Sequence, residues 1–132
     1  MPHLYGDQTL YQSEMHMIQF VGKHEKSTVT VIAQAMDKTV SACSQMVTRL
    51  RKKKLFNQIR NSENNREYHL ELTEHGWIVF NAHEEFENFC LKRTYEKVNA
   101  FSVEELRTYI KIQKKLNEAF LEDTTENLKV LE

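Results

Sequence analysis

Cys43, Met46, Val47 and Leu50 recur at the i, i+3, i+4, i+7 spacing of a helix that presses one face into a core. Thr39 can cap this helix, which is expected to run to about Lys53. A shorter helix precedes it, capped by Thr28, with Val29, Ile32, Ala33 and Met36 inward. It ends at Asp37, a residue type that tolerates the left-handed backbone of a tight turn. Upstream, Met15, Ile18 and Val21 mark one side of a helix from Ser13, its expected N-cap, to about His24, with residues 25–27 as a loop. Residues 1–10 carry no helical pattern. Downstream, residues 56–60 and 67–72 read as two strands, with Tyr68, Leu70 and Leu72 alternating against His69 and Glu71. Thr73 then opens a long helix to about Val98, roughly 38 Å at 1.5 Å per residue. Trp77, Val79, Phe80, Ala82, Phe86, Phe89 and Cys90 make it apolar on more than one side, so a partner chain is expected to cover it. Ser102 and Glu105 form a capping box for a last helix, with Leu106, Tyr109, Ile110, Gln113, Leu116 and Phe120 on one face. The polar tail after Glu122 is expected to fray.

The other face of the Thr39–Lys53 helix carries Ser41, Ala42, Ser44, Gln45, Thr48 and Arg49, and Arg51, Lys52, Lys53 and Lys54 follow. Short hydroxyls, a methyl, an amide and a guanidinium are the groups that read base edges and phosphates in a major groove. Gln45 suits a bidentate contact to adenine, Ala42 and the Thr39 methyl suit a thymine methyl, and Arg49 reaches a guanine or a phosphate. Thr28, Ser41, Ser44 and Thr48 suit phosphates, which fix register without reading sequence. The net charge of −1 argues against nucleic acid until its distribution is considered. Residues 38–66 hold eight Lys or Arg against the single acid Glu63, while the rest holds 10 basic and 18 acidic residues. A basic run alone is usually a solvated face; on a helix-turn-helix it fits a DNA reader with an acidic body. The strands end at a polar loop, Asn61 to Arg66, with Arg60 beside it. The fold class is therefore mainly α with a small β-hairpin wing. A winged helix-turn-helix lobe (about 13–72) leads into C-terminal dimerisation helices (about 73–121), within one domain of 132 residues.

Ile32-Ala33, Met36, Thr39-Val40-Ser41-Ala42, residues 50–55, Asn64-Asn65-Arg66 and Leu72-Thr73-x-x-Gly76 resemble the MarR family of bacterial transcription regulators over roughly residues 10–121. The wing resembles the family's Asp-x-Arg followed by Leu-Thr, with Asn64 at the usual Asp. Lys54 and Asp37 stand at usual glycines, and lysine at position 54 costs ~1 kcal/mol relative to glycine. The resemblance implies a homodimer on double-stranded DNA, with Arg66 entering the minor groove beside the one read by the helix. One reading head contacts too few phosphates for tight binding, so a pseudo-palindromic operator with half-sites about one helical turn apart is expected. Family members usually have a further helix near the N-terminus that helps build the dimer. Only about a dozen residues precede Ser13 here. Either the C-terminal helices carry dimerisation, or an N-terminal piece is missing.

The resemblance also implies a regulated repressor. Ser13-Glu14-Met15-His16-x-Ile18, followed by Gly22-Lys23, resembles a subgroup that includes repressors of fatty-acid synthesis, where a long acyl chain is the effector. Met15, His16, Met17, Phe20, Trp77 and Phe80 are candidates to line an apolar channel for a small acyl-like ligand; otherwise they are ordinary core. A zinc-responsive regulator is the alternative: His83, Glu87 and Cys90 fall at i, i+4, i+7, and His16 or His24 would complete a tetrahedral set. A polar seam explains the same spacing. Cys43 lies on an apolar stripe, and two cysteines make no disulfide framework. No cofactor is expected. The chain has three glycines and lacks a phosphate-binding Gly loop, a Gly-x-Ser-x-Gly elbow, a His-Glu-x-x-His and a Cys-x-x-Cys, so an enzyme is disfavoured. A winged-helix protein-interaction module is a second alternative, against which the basic helix argues. With neither an 18-residue apolar run nor a signal peptide, a cytoplasmic protein away from membranes is expected.

Overall fold

A computed structural model describes residues 3–5, 8–64 and 66–130. Asn65 of the wing motif lies outside the described residues. In chain order the elements are β1 (His3–Tyr5), β2 (Gln8–Leu10), α1 (Gln12–Lys23), α2 (Val29–Ala35), α3 (Val40–Lys52), β3 (Phe56–Arg60), β4 (Tyr68–Leu72), α4 (Glu74–Val98) and α5 (Val103–Val130). Two compact units divide them, residues 1–88 and 89–132, with the boundary inside α4.

The first unit is a winged helix. Its core collects Met15, Met17, Ile18 and Val21 from α1, Ile32 and Ala33 from α2, and Cys43, Met46, Val47 and Leu50 from α3. Leu70 and Leu72 of the wing and Val79 of α4 close it. The stripe expected for α3 is thus the buried face. Thr28 and Thr39 cap as expected, their hydroxyl oxygens accepting from the Val31 N–H (3.3 Å) and the Ala42 N–H (3.1 Å). Asp37 and Lys54 end their helices with φ of 50° and 59°, the left-handed region that favours glycine. A first prediction follows: Lys54→Gly raises stability by up to about 1 kcal/mol, read from the midpoint of denaturant unfolding, because it removes a Cβ from a left-handed position.

The wing is an antiparallel pair with Phe56 opposite Leu72 and Arg60 opposite Tyr68. Leu70 and Leu72 are buried, but Tyr68 faces solvent, since it lies beyond the core's edge. The β4 ladder has a further partner. The Leu70 N–H donates to the Ser27 carbonyl at 2.8 Å, and Ser27 is buried, its hydroxyl donating to the His24 carbonyl. Residues 25–27 are therefore more than a loop: they turn through Lys26 at φ 55° into a bridge with the wing.

The described residues before α1 hold no helix, as expected, and two further expectations are corrected. The residues before α1 form a short antiparallel hairpin, β1 with β2, which sends Leu10 fully into the core. Tyr11, not Ser13, precedes α1, because the Glu14 carboxylate reaches back to accept from the Tyr11 N–H at 3.0 Å. The tail beyond Glu122 stays helical to Val130.

The start of α4 is fastened to the turn after α3. The Thr73 hydroxyl donates to the Lys54 carbonyl at 2.7 Å and accepts from the Gly76 N–H at 2.9 Å, while the Thr73 N–H donates to the Leu55 carbonyl. Gly76 approaches so closely that a Cβ there would lie 2.3 Å from the Leu55 oxygen. Leu72-Thr73-x-x-Gly76 is thus the joint between the wing, the end of α3 and α4.

In the second unit, Ser102 and Glu105 form the expected capping box at α5, with the Ser102 N–H donating to the Glu105 carboxylate and the Glu105 N–H donating to the Ser102 hydroxyl. Among its described side chains, residues 89–125, none is buried. Phe89 and Tyr109 are 61% and 63% exposed, and Tyr95, Phe101, Ile110 and Phe120 are similarly open. Val98, Phe101, Leu106, Tyr109 and Ile112 line an apolar groove of about 730 Å³.

Candidate nucleic-acid interface

The polar face read from the sequence is the exposed face of α3: Thr39, Ser41, Ala42, Ser44, Gln45, Thr48 and Arg49 are all open to solvent. The i, i+3, i+4 burial of its apolar residues forces this, because the remaining positions must face out. The residues differ in freedom. No hydrogen bond ties down the Gln45 amide or the Ser41 and Ser44 hydroxyls among the described contacts. The Thr48 hydroxyl donates to the Ser44 carbonyl at 3.0 Å, which leaves its lone pairs but commits its proton. The Thr39 oxygen already serves as a cap.

Thr28 and Arg60 come together across a cleft between the start of α2 and the wing, together with Lys26, Tyr68 and His69. Arg60 donates to the Tyr68 hydroxyl at 3.0 Å and stacks over its ring. Its guanidinium is therefore held on the wing strand rather than waving from it. At the tip, the Asn64 side-chain oxygen accepts from the Arg66 N–H at 3.2 Å, and its carbonyl accepts from the Glu67 N–H at 3.0 Å. Asn64 thus shapes the turn through the backbone. The Arg66 side chain is exposed.

Sequence reasoning missed Glu14. It is 1% exposed, a carboxylate inside the core between α1 and α3. Lys53 Nζ lies 3.0 Å from its Oε2 and Arg49 Nε 3.5 Å from its Oε1. Burial pushes the Glu14 pKa up, but the Tyr11 N–H, Lys53 and Arg49 more than offset this and hold it below the ordinary value. Lys53 also donates to the Thr9 carbonyl at 2.9 Å, tying β2 to α3. The signal was available: Glu14 stands at i with Ile18 at i+4 and Val21 at i+7, on the buried stripe of α1.

The candidate ligand residues do not line one channel. Met15 is sealed in the core, and Met17 likewise. His16 and Phe20 line an open cleft with Gln12, Ser13, Met36 and Lys38. Trp77 lines a separate groove beside Gly22 and Leu72. Phe80 packs so tightly on Gly22 that a Cβ there would lie 2.6 Å from its ring. Trp77 and Phe80 of α4 meet edge to face, their ring centroids 5.2 Å apart, while His16 and Phe20 of α1 line the other cleft.

The candidate metal residues are drawn into other contacts. His83 Nδ1 shares a hydrogen bond with the Tyr5 hydroxyl. Its Nε2 sits 3.2 Å from Glu87 Oε1 without hydrogen-bond alignment. The Gln19 amide donates to Glu87 and to Glu84, and Glu84 pairs with Lys23 at 2.9 Å. Among the described residues no group of three or more His, Cys, Asp or Glu side chains is placed to hold a metal ion. Nor is any described helix long and apolar enough to cross a membrane.

The fold is a winged helix like that of solved MarR-family regulators. No protein-family model matches it. It is 25% identical over 114 residues to the HTH-type transcriptional regulator PchR of Bacillus subtilis, spanning 86% of this chain and 68% of that protein. Streptococcus pneumoniae FabT, solved in complex with DNA, superposes with a TM-score of 0.68 at 24% identity, over 86% of this chain and 77% of FabT. Lactococcus lactis ZitR, a zinc-responsive MarR family member, superposes with a TM-score of 0.74 at 21% identity, over 89% of this chain and 81% of ZitR.

Proposed function

We propose that this protein is a sequence-specific DNA-binding transcriptional regulator, a repressor that grips a pseudo-palindromic operator as a homodimer. The observation that carries this reading is α3 itself. One face is fully committed to the core, and the other presents Ser41, Ala42, Ser44, Gln45 and Arg49 to solvent within the most basic stretch of the chain. A protein-interaction module would have no use for that charge. The likeness to a regulator solved on DNA supports the same reading.

The dimer rests on the second unit. The end of α4 from Phe89 together with α5, with no buried side chain among those described and with Phe89, Tyr109 and Phe120 exposed, is an apolar surface of the kind that covers itself with a second copy. Sedimentation at micromolar concentration is expected to give twice the chain mass; a monomer would contradict the dimer. A small apolar effector is retained as part of the proposal, at the cleft of His16, Phe20, Met36 and Lys38, where an apolar body and an acidic head both find partners. Titrating fatty acids and zinc separately against a protein–DNA complex distinguishes it from the zinc alternative.

Base reading and wing contact are separable. Gln45→Ala is expected to relax preference at one base pair by about 1–3 kcal/mol. Arg66→Ala is expected to weaken binding across all related sequences, because a groove-inserted guanidinium reads potential rather than hydrogen-bond pattern. Competition binding against single-base operator variants measures both. Unchanged affinity for the two variants at moderate salt would place the reading head elsewhere.

A further inference from the structure

We infer that Glu14 is a positioning residue of the reading head: it holds the Arg49 guanidinium by its Nε so that the terminal nitrogens present themselves to a DNA phosphate. The inference rests on the DNA-reading assignment above. Arg49 and Lys53 are four residues apart on α3 and so share a side. The first turn of α1 lies against that side, and Glu14 fills the junction with one oxygen toward each cation. The two cations are not equivalent. Lys53 is 29% exposed and divides its ammonium between Glu14 and the Thr9 carbonyl, so it is a structural cation. The Arg49 side chain is 53% exposed and meets Glu14 only through Nε. A guanidinium has five N–H donors in a planar fork, so an ion pair on the Nε side, here at 3.5 Å, leaves four on the outer edge and restrains where they lie.

Two effects of Glu14 on DNA affinity oppose each other. Its negative charge repels phosphate, but Lys53 offsets that charge at 3.0 Å and salt screens the remainder over about 8 Å. Against this stands the ordering of a side chain with four rotatable bonds, done before DNA arrives. Losing such ordering weakens binding by roughly 3- to 10-fold. Pre-organisation therefore wins, and removing the acid is expected to weaken binding, the reverse of what charge alone predicts.

The probe is a labelled mixed-sequence DNA duplex, since a phosphate contact needs no operator. Glu14→Gln is expected to weaken binding by roughly 3- to 10-fold in the wild-type background and by less than about 2-fold in an Arg49→Ala background. A role confined to folding would cost the same in both. Arg49→Lys, which keeps the charge and the fold but has no Nε edge, is expected to lose most of what Arg49→Ala loses. Equal losses for Glu14→Gln in the two backgrounds, or full affinity for Arg49→Lys, would overturn the inference while leaving the DNA-reading assignment in place. If the wild-type protein ignores duplex DNA at low salt, that assignment falls and this inference falls with it.

Discussion

Gly76→Ala destabilises the protein by about 3 kcal/mol. In an ordinary helix interior the same change stabilises by up to about 1 kcal/mol, since alanine loses less backbone entropy than glycine. Here the sign reverses because the new methyl meets backbone. A Cβ would lie 2.3 Å from the Leu55 oxygen, which already accepts from the Thr73 N–H, and 3.3 Å from the Leu72 Cβ. Neither atom is the free end of a side chain, so the first turn of α4 must lift from the turn after α3. That motion breaks the Thr73 bonds to Lys54 and Leu55 as well. Gly22→Ala is the informative comparison. Its Cβ meets the Phe80 ring at 2.6 Å, and a ring can turn aside, so the expected cost is nearer 1 kcal/mol. Denaturant unfolding of the two variants ranks them; equal midpoints would mean that the joint at Gly76 is looser than its geometry implies.

Lys53→Met is expected to cost about 2–3 kcal/mol, more than Glu14→Gln. Removing the lysine leaves a buried carboxylate with the Tyr11 N–H and a partly exposed Arg49 as its remaining partners. Removing the acid instead leaves two cations that solvent can reach. The double variant should recover part of the loss, because no uncompensated charge stays inside. The pH dependence has a fixed sign. The Glu14 pKa is lower in the folded protein than the ordinary glutamate value of about 4.3, so its contribution is present above that value. It is lost as pH falls through the depressed folded pKa. Wild-type stability should therefore drop more steeply below about pH 4 than that of Glu14→Gln, measured by thermal unfolding across the acid range. Parallel acid profiles would remove Glu14 from the account.

What the sequence disclosed and what it hid divide along one line. The faces of α3, the caps at Thr28 and Thr39, the left-handed residues Asp37 and Lys54, and the box at Ser102 each depend on residues within one or two turns. Local spacing carries such signals whole. The hairpin at β1 and β2 depends on Leu10 reaching a core assembled from distant residues, and Ser27 is a strand partner only because Leu70 lies beside it. Glu14 depends on cations 35 and 39 residues further along. Its apolar neighbours did mark the stripe, but a carboxylate there reads as surface until its partners are placed. The candidate ligand residues were hidden for a related reason: Met15, Phe20, Trp77 and Phe80 share a composition, and only packing shows that Met15 is sealed in the core, Phe20 borders one cleft, and Trp77 and Phe80 meet at another place. On α3, the polar face read from the pattern is the solvent-exposed face in space, residue by residue.

The central claim is that the exposed face of α3 and the wing grip duplex DNA. The direct measurement is the affinity of the wild-type protein for its selected duplex at two salt concentrations, repeated with Arg66→Ala. The account predicts binding that weakens steeply with salt, with a log–log slope of several units, as counterions are released by a dimer's phosphate contacts. It also predicts a slope smaller by about 1 per reading head for the variant. Absence of binding at low salt, or binding that salt and the loss of Arg66 both leave unchanged, would contradict it.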